Sequence, residues 1–178
     1  MVAANPDNPR SDSSPQDAGG KAVVGWREYV ALPDWGIDRV KVKVDTGART
    51  SAIHVAEFDE LADGTARFEV VVSETPTLRT ILVEAPLVRE AVVKPSSGKR
   101  QRRPVVKTMM RLGGVEKEIE ITLVSRKGML CRMLLGRTAL EGDFVVDPSR
   151  KYLLSQLQQK RKKRKEKRRT DPSSSHES

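Results

Sequence analysis

The tripeptide Asp45-Thr46-Gly47 places a carboxylate where the chain must turn sharply, directly after an alternating apolar segment at residues 40–44. Gly47 allows a close approach of backbone, and Thr46 can hydrogen-bond within the turn and stiffen it. A carboxylate held in this way can take part in acid–base chemistry. An Asx turn with no reactivity fits the same residues. The tripeptide alone leaves both interpretations open.

Two side chains just beyond the turn bear on the same chemistry. The guanidinium of Arg49 can bind a substrate carboxylate through two parallel hydrogen bonds, and an ion pair on the protein's own surface would use it equally well. Ser51 has neither a base nor an orienting acid that the sequence identifies, so we do not expect a nucleophilic serine.

A strongly basic segment, KPSSGKRQRR at residues 94–103, lies in the middle of the chain and is called the basic loop below. Its glycine and proline predict an exposed, mobile loop. Positive charge at this density favours an acidic peptide and would equally suit RNA. The basic residues of this loop are Lys94, Lys99, Arg100, Arg102 and Arg103.

Elsewhere, apolar and polar residues alternate in the manner of β-strands. The period of two is clear at residues 40–44 and 115–123, and Gly113 with Gly114 provides a two-residue hairpin turn before the second of these strands. Helical character is confined to a short piece near residues 138–141. Many short strands with so little helix predict an all-β barrel or sandwich.

These segments together resemble the retropepsin-like aspartic proteases, in which an Asp-Thr-Gly-Ala turn is followed later by two hydrophobic residues and Gly-Arg, here Gly136-Arg137. The match is closer still to a prokaryotic group labelled ATP-dependent zinc proteases. The resemblance covers roughly residues 23–154 and implies a closed retropepsin-like barrel with one short helix. The segments that carry it are 25–28 (GWRE), 43–51 (KVDTGARTS), 103–105 (RPV), 134–137 (LLGR) and 146–148 (VDP).

The resemblance implies chemistry that needs two carboxylates. Aspartic proteases use a pair that shares one proton, because like charges about 3 Å apart cannot both ionise. One carboxylate activates a water, the protonated one assists the carbonyl, and the pair titrates as a unit. This chain has one Asp-Thr-Gly, so the partner of Asp45 must be Asp45 of a second copy, and a two-fold homodimer is expected.

The same resemblance assigns roles around the cleft. Asp45, Thr46 and Gly47 form the catalytic loop, in which Thr46 braces the turn and Gly47 admits the substrate, while Ala48 and Arg49 lie beside the substrate. The basic loop is placed like a flap over the cleft and also contacts the substrate. Relatives are associated with ATP-grasp ligases that add glutamate to protein tails, including a ribosomal protein. This association implies a peptidase that acts on acidic or glutamate-extended tails.

The sequence does not contain the ligand pattern of a zinc site, although the family label mentions zinc. A catalytic zinc requires three protein ligands, and beyond the carboxylates only His54, His176 and Cys131 supply nitrogen or sulfur. The chain has no HExxH motif and no phosphate-binding P-loop motif, so we expect no metal and no other cofactor. A zinc site made from His54, Asp45 and Cys131 is the alternative that the label suggests.

The net charge of +9 is concentrated near one end of the chain. The segment from Lys160 to Arg169 holds nine basic residues and one acidic residue, which leaves 24 basic and 23 acidic residues elsewhere. The composition predicts a disordered leader over residues 1–20, one domain over 21–154 and a basic, disordered or helical tail over 155–178. The tail either docks on ribosomal RNA or another polyanion, or solubilises the protein without a partner.

Composition excludes several classes of protein. Aromatic residues are only 4%, which argues against base stacking, and a single cysteine excludes an intramolecular disulfide framework. No apolar run approaches the roughly 20 residues that span a membrane, and the N-terminus lacks the features of a secretory signal, so a cytoplasmic protein is expected.

Taken together, the motifs and the family resemblance predict a homodimeric aspartic peptidase. The alternatives are a catalytically silent binding module for RNA or acidic protein and a zinc-dependent hydrolase.

Overall fold

A computed structural model describes residues 15–73, 76–93 and 100–155. Over these residues the chain is built mainly from β-strands, with a short α-helix, a 3-10 turn at Pro33–Trp35 and a helical stretch at residues 153–155. The all-β prediction is confirmed, and the helix begins one residue before its predicted position. In chain order the elements are β1 (Ala22–Gly25), β2 (Arg27–Leu32), β3 (Ile37–Val44), β4 (Ser51–Glu60), β5 (Thr65–Ser73), β6 (Arg79–Val93), β7 (Gln101–Leu112), β8 (Val115–Val124), β9 (Met133–Leu135), α1 (Arg137–Leu140) and β10 (Phe144–Asp147).

Eight of these strands form one sheet in which the pairings make a closed circuit. Neighbours follow the order β2-β3-β9-β4-β5-β6-β7-β8, and the pairing of Ala31 with Arg111 returns from β7 to β2. β8 also pairs in parallel with the beginning of β4. β1 and β10 form a separate parallel pair. This arrangement agrees with the retropepsin-like architecture that the sequence predicts.

β9 lies between two strands that are consecutive along the chain. It runs parallel to β3, where Val44 pairs with Leu135, and antiparallel to β4, where Ile53 pairs with Met133. Residues 45–50 connect β3 to β4, so β9 separates the two strands that flank the Asp45 turn. The apolar segment after Cys131 is therefore placed directly beside that turn.

The interior of the sheet is aliphatic, with a few aromatic side chains. The alternation at residues 40–44 buries Val40, Val42 and Val44, as predicted. Trp35 meets Phe68 edge to face, with 5.4 Å between ring centroids. The predicted hairpin is also present, since Leu112 pairs with Val115 across the two-glycine turn.

A long hairpin of β6 and β7 carries the basic loop at its tip. Val93 pairs with Gln101, and Val92 with Arg102, so the predicted loop is shortened by the start of β7. Arg102 and Arg103 therefore lie on a strand, because they form the cross-strand ladder with β6. Arg100 is exposed just before β7, and Lys94 and Lys99 lie outside the described residues.

Both predicted tails fall mainly outside the described ranges. Residues 15–20 of the leader form a turn in which Gln16 bridges to Ala22. The basic segment at 160–169 and its contact with RNA stay a prediction. Within the described ranges no helix is long and apolar enough to cross a lipid bilayer.

A fully buried carboxylate fastens the C-terminal end of the domain to β2. One oxygen of Glu28 accepts the amide protons of Gly25 (3.0 Å) and Leu154 (3.3 Å). The other oxygen accepts the amide and the hydroxyl protons of Ser155. Ser155 is itself buried, so the packed domain extends at least one residue beyond Leu154.

Replacing Glu28 by Gln should destabilise the protein by about 1–3 kcal/mol, because an amide nitrogen cannot accept the protons that one carboxylate oxygen now receives. Urea unfolding measures this change. The matched control is Glu118→Gln, which breaks an exposed ion pair with Lys107 and should change stability by less than about 1 kcal/mol. Equal effects of the two substitutions would show that the hydrogen bonds of Glu28 do not stabilise the C-terminal end of the domain.

Asp147 ends β10 in a turn that stabilises its charged form. Hydrogen bonds from the Ser149 hydroxyl, the Arg150 guanidinium and the Ser149 amide lower the pKa of Asp147 from its usual 3.8 to about 2. The folded protein therefore binds this proton less tightly than the unfolded chain does. The stability that Asp147 contributes is present above about pH 4 and is lost as the pH falls to about 2.

Asp147→Asn should remove this part of the acid sensitivity, so the urea midpoint should fall less between about pH 4 and pH 2 than in the wild type. Asp38→Asn is the matched control, because the exposed Asp38 carboxylate makes no hydrogen bond or ion pair with any described residue. An Asp147→Asn protein that keeps the wild-type fall would refute the assignment.

Candidate active site

The Asp45 turn holds its carboxylate through the backbone that follows it. Oδ1 of Asp45 accepts the amide protons of Gly47 (3.1 Å) and Ala48 (3.2 Å). Asp45 is half-buried, whereas Thr46 and Gly47 are exposed. Within the described residues, no group donates a hydrogen bond to Oδ2 of Asp45. The Asx turn is therefore real, and it orients a carboxylate that keeps one oxygen for a ligand.

The end of β9 and the start of α1 hold this turn from the other side. The carbonyl oxygen of Leu135 accepts a hydrogen bond from the amide of Asp45 (2.9 Å), and the amide of Arg137 donates to the carbonyl of Ala48 (2.9 Å). The amide and hydroxyl groups of Thr138 both donate to the carbonyl of Arg49, at 3.1 and 3.0 Å. The turn is thus bonded to a segment that is remote in sequence.

The guanidinium of Arg137 adds a brace on the exposed side of the turn. Its Nη1 donates to the carbonyl oxygens of Thr46 (3.0 Å) and Gly47 (3.2 Å). Two carbonyls that would otherwise face solvent are thereby fixed. Arg137 is a positioning residue for the Asp45 turn, in addition to its place in the Gly-Arg motif.

Gly136 is where the two segments pass closest together. A β-carbon at this position would lie 2.7 Å from the carbonyl carbon of Thr50 and 2.8 Å from the carbonyl oxygen of Arg49. Real β-carbons essentially never approach backbone so closely, so the contact requires glycine. The amide of Gly136 donates to Oγ of the fully buried Ser51 (3.2 Å), which gives that serine a structural role.

A cleft of about 1020 Å³ opens beside the Asp45 turn. Its walls come from the turn itself, the beginnings of β4 and β7, the last residues of β6, the middle of β8, and β9. Two ion pairs neutralise most of the charge on the β6 wall. Arg89 contacts Glu120 at 2.5 Å, and Glu90 contacts Arg102 at 3.2 Å.

The structure brings together only part of the predicted substrate site. Ala48, Arg49 and Arg103 line the cleft with Asp45. Arg100 and Arg102 do not line it, because Arg100 is exposed outside it and Arg102 is engaged by Glu90. The described flanks of the hairpin, Val92 and Val93 among them, do line the cleft, as a flap would require.

Arg126 is a cleft residue that sequence reasoning did not identify. It lies between β8 and β9 and lines the same cleft as Asp45. Burial lowers the pKa of its guanidinium below the usual value, and the nearby Cys131 and Asp45 act in the opposite direction. Nothing in its local sequence signals this position, because the fold brings it to Asp45 from far along the chain.

The residues proposed as zinc ligands do not fit a metal site. His54 is buried, and its Nδ1 accepts the amide proton of Arg126 (3.2 Å). Cys131 is also buried. Among the described residues, no three His, Cys, Asp or Glu side chains are grouped so that they could hold a metal ion. The described residues therefore do not support the alternative zinc site of His54, Asp45 and Cys131.

Comparison with known proteins places this architecture in a family. The family described as RimB-like, the retropepsin-like aspartic endopeptidase RimB, matches residues 23–157. The chain belongs to the RimB-like family. The resemblance seen in the sequence is thereby confirmed. The matched range includes the Asp45 turn, β9, and Glu28 with the residues that donate hydrogen bonds to it.

Similar proteins extend the comparison beyond this RimB-like domain. One from Shewanella pealeana is 34% identical over 139 residues, which cover 76% of this chain. One from Parasynechococcus marenigrum is 35% identical over 142 residues, which cover 78% of it. Both are named "Probable alpha-L-glutamate ligase", and the chain spans 30% of the length of each.

A solved structure shares the fold of the RimB-like chain. The crystal structure of Lpg0085 from Legionella pneumophila, a protein of unknown function, is 30% identical with a TM-score of 0.61. The match covers 74% of this chain and 96% of that one. Nearly the whole of that chain therefore aligns with part of this one.

Gly136→Ala should displace the Asp45 turn, because the added methyl group would overlap the backbone of Thr50. We expect a loss of about 1–3 kcal/mol in unfolding free energy and faster hydrogen exchange of the amides of Gly47 and Ala48. The control is Gly114→Ala, where an added β-carbon meets nothing within 4 Å. If both variants kept wild-type exchange at the turn, β9 would not be what holds it.

Proposed function

We propose that this chain is an aspartic peptidase that works as a homodimer and hydrolyses amide bonds in acidic or glutamate-extended polypeptide tails. Paired copies of Asp45 would supply both catalytic carboxylates. The observation that carries the proposal is the Asp45 turn, which orients a half-buried carboxylate at the edge of a large cleft while Leu135 and Arg137 fix its backbone.

The dimer is inferred from what one chain lacks. The chain contains a single Asp-Thr-Gly, and Asp45 forms no ion pair or hydrogen bond with another carboxylate among the described residues. Thr46 and Gly47 are exposed at the outer side of the turn. A two-fold axis through this exposed surface would bring two Asp45 side chains together and make one continuous cleft from two.

Hydrolysis then follows from the protonation of the pair. The ionised Asp45 accepts a proton from a water, which attacks the carbonyl carbon of the substrate amide. The protonated Asp45 donates its proton to the carbonyl oxygen, so the tetrahedral intermediate carries no isolated negative charge. The Asp45 that took the proton from water then donates it to the amide nitrogen, and one hydroxyl of the intermediate gives its proton to the other Asp45. The carbon–nitrogen bond breaks, the carboxylic acid and the amine are released, and the pair again shares one proton.

The choice of an acidic substrate rests on two supports. Arg49 and Arg103 line the cleft, and both project positive charge where a bound chain would lie. The relatives named as glutamate ligases contain a segment similar to this domain within a longer chain. A hydrolase of glutamate-bearing chains would act on the kind of product that such a ligase makes.

Asp45→Asn should reduce peptide hydrolysis by at least about a hundredfold, because an amide cannot accept or share the catalytic proton. Mass spectrometry of a glutamate-tailed peptide panel and a neutral panel, with chelator present, measures both activity and preference. Cleavage that survives in Asp45→Asn would refute the role of Asp45. An inactive but folded wild type would favour the binding module.

Mixed dimers test the pairing of Asp45 directly. Wild-type chains are unfolded and refolded together with a ninefold excess of Asp45→Asn chains, so that random pairing leaves about one tenth of the wild-type activity. The control is refolding with the same excess of Gly114→Ala chains, which keep Asp45. Activity that is unchanged by the Asp45→Asn excess would show that each chain acts alone.

A further inference from the structure

Three arginines around the cleft have no carboxylate partner among the described residues. Arg49 lies on the Asp45 turn, Arg103 comes from β7, and Arg126 comes from the segment after β8. None of them forms an ion pair within the described part of the chain. Against the single charge of Asp45, they leave the cleft with an excess of positive charge.

The protein holds Arg126 firmly but leaves the end of its side chain without a partner. Its amide donates to His54 Nδ1 (3.2 Å), and its Nε donates to the carbonyl of Cys131 (3.4 Å). Its carbonyl accepts a hydrogen bond from Arg132 (3.3 Å). The two terminal nitrogens make no hydrogen bond or ion pair with any described residue.

Burial makes this guanidinium receptive to an anion. It lowers the pKa of Arg126, while the nearby Cys131 and Asp45 act in the opposite direction and Arg103 adds to the lowering. An arginine nevertheless keeps its charge at neutral pH. A charge partly removed from water is stabilised when a carboxylate binds it.

Arg103 of β7 is a second arginine of the cleft whose donors are not all satisfied. One of its terminal nitrogens donates to Oε1 of Gln101 (3.0 Å), whereas its Nε is buried and has no hydrogen-bond partner among the described residues. The other terminal nitrogen of Arg103 also makes no hydrogen bond with any described residue, so it is available to a ligand in the cleft. Each of the two arginines thus has at least one terminal nitrogen without an acceptor among the described residues.

We propose that Arg126 and Arg103 form a subsite that binds the carboxylate of an acidic substrate residue close to the scissile amide. The inference rests on the proposed function and adds the residues that select the acidic side chain. Glutamate or aspartate would accept charge-assisted hydrogen bonds from both guanidiniums. Glutamine has the same shape as glutamate, but it has only one accepting oxygen and no charge.

Peptide binding to the Asp45→Asn chain tests this subsite without turnover. The two probes are fluorescent peptides of equal length, one glutamate-tailed and the other with every glutamate replaced by glutamine. Fluorescence anisotropy should show about 10- to 100-fold tighter binding of the glutamate peptide. Adding Arg126→Met should bring this ratio close to one, and Arg126→Lys should retain part of it.

The matched control is Arg67→Met in the same Asp45→Asn background. Arg67 is an exposed arginine on β5 that pairs with Glu84 outside the cleft, so its loss should leave the full ratio. Thermal unfolding verifies that each variant is folded. The subsite is refuted if the two peptides bind alike, or if neither Arg126→Met nor Arg103→Met lowers the ratio.

The two proposals fail in different ways. Hydrolysis that persists in Asp45→Asn would refute the peptidase mechanism, while the binding ratio would still report on Arg126. Hydrolysis that requires Asp45, together with an unchanged ratio in Arg126→Met, would refute the subsite and leave the peptidase mechanism in place.

Discussion

The passage of β9 between β3 and β4 is the constraint on which the rest of the site depends. An exposed turn of six residues would sample many conformations if only its own hydrogen bonds held it. Here β9 and the start of α1 bond to the backbone of residues 45–49, and Gly136 permits the close approach. The carboxylate of Asp45 is therefore positioned by backbone contacts, which side-chain motion does not loosen.

The distribution of charge follows from the same architecture. The β6–β7 hairpin brings Arg89 and Glu90 to one wall of the cleft, where Arg89 pairs with Glu120 of β8 and Glu90 pairs with Arg102 of β7. The segment between β8 and β9 brings Arg126 to the same cleft, where it forms no ion pair with any described residue. The cleft consequently presents positive charge beside Asp45, although the chain outside its C-terminal basic segment is nearly neutral.

Sequence patterning predicted the strands that have one face in solvent. The alternation of β3 and the two-glycine turn before β8 both appear where expected. β4 was not predicted, because residues 51–55 are all buried and residues 56–60 are all exposed, so no period of two is present. Its first half packs between β8 and β9, a setting that only the sheet order creates.

The sequence by itself determined the catalytic candidate and the fold class. Asp45-Thr46-Gly47 and the Leu134–Arg137 motif are local strings, and their chemistry can be recognised without knowing what surrounds them. Only the tertiary structure decided that Arg126 shares a cleft with Asp45 while Arg102 does not. The physical reason is that electrostatic contacts depend on distance in space, and a crossed strand order joins segments that lie far apart along the chain.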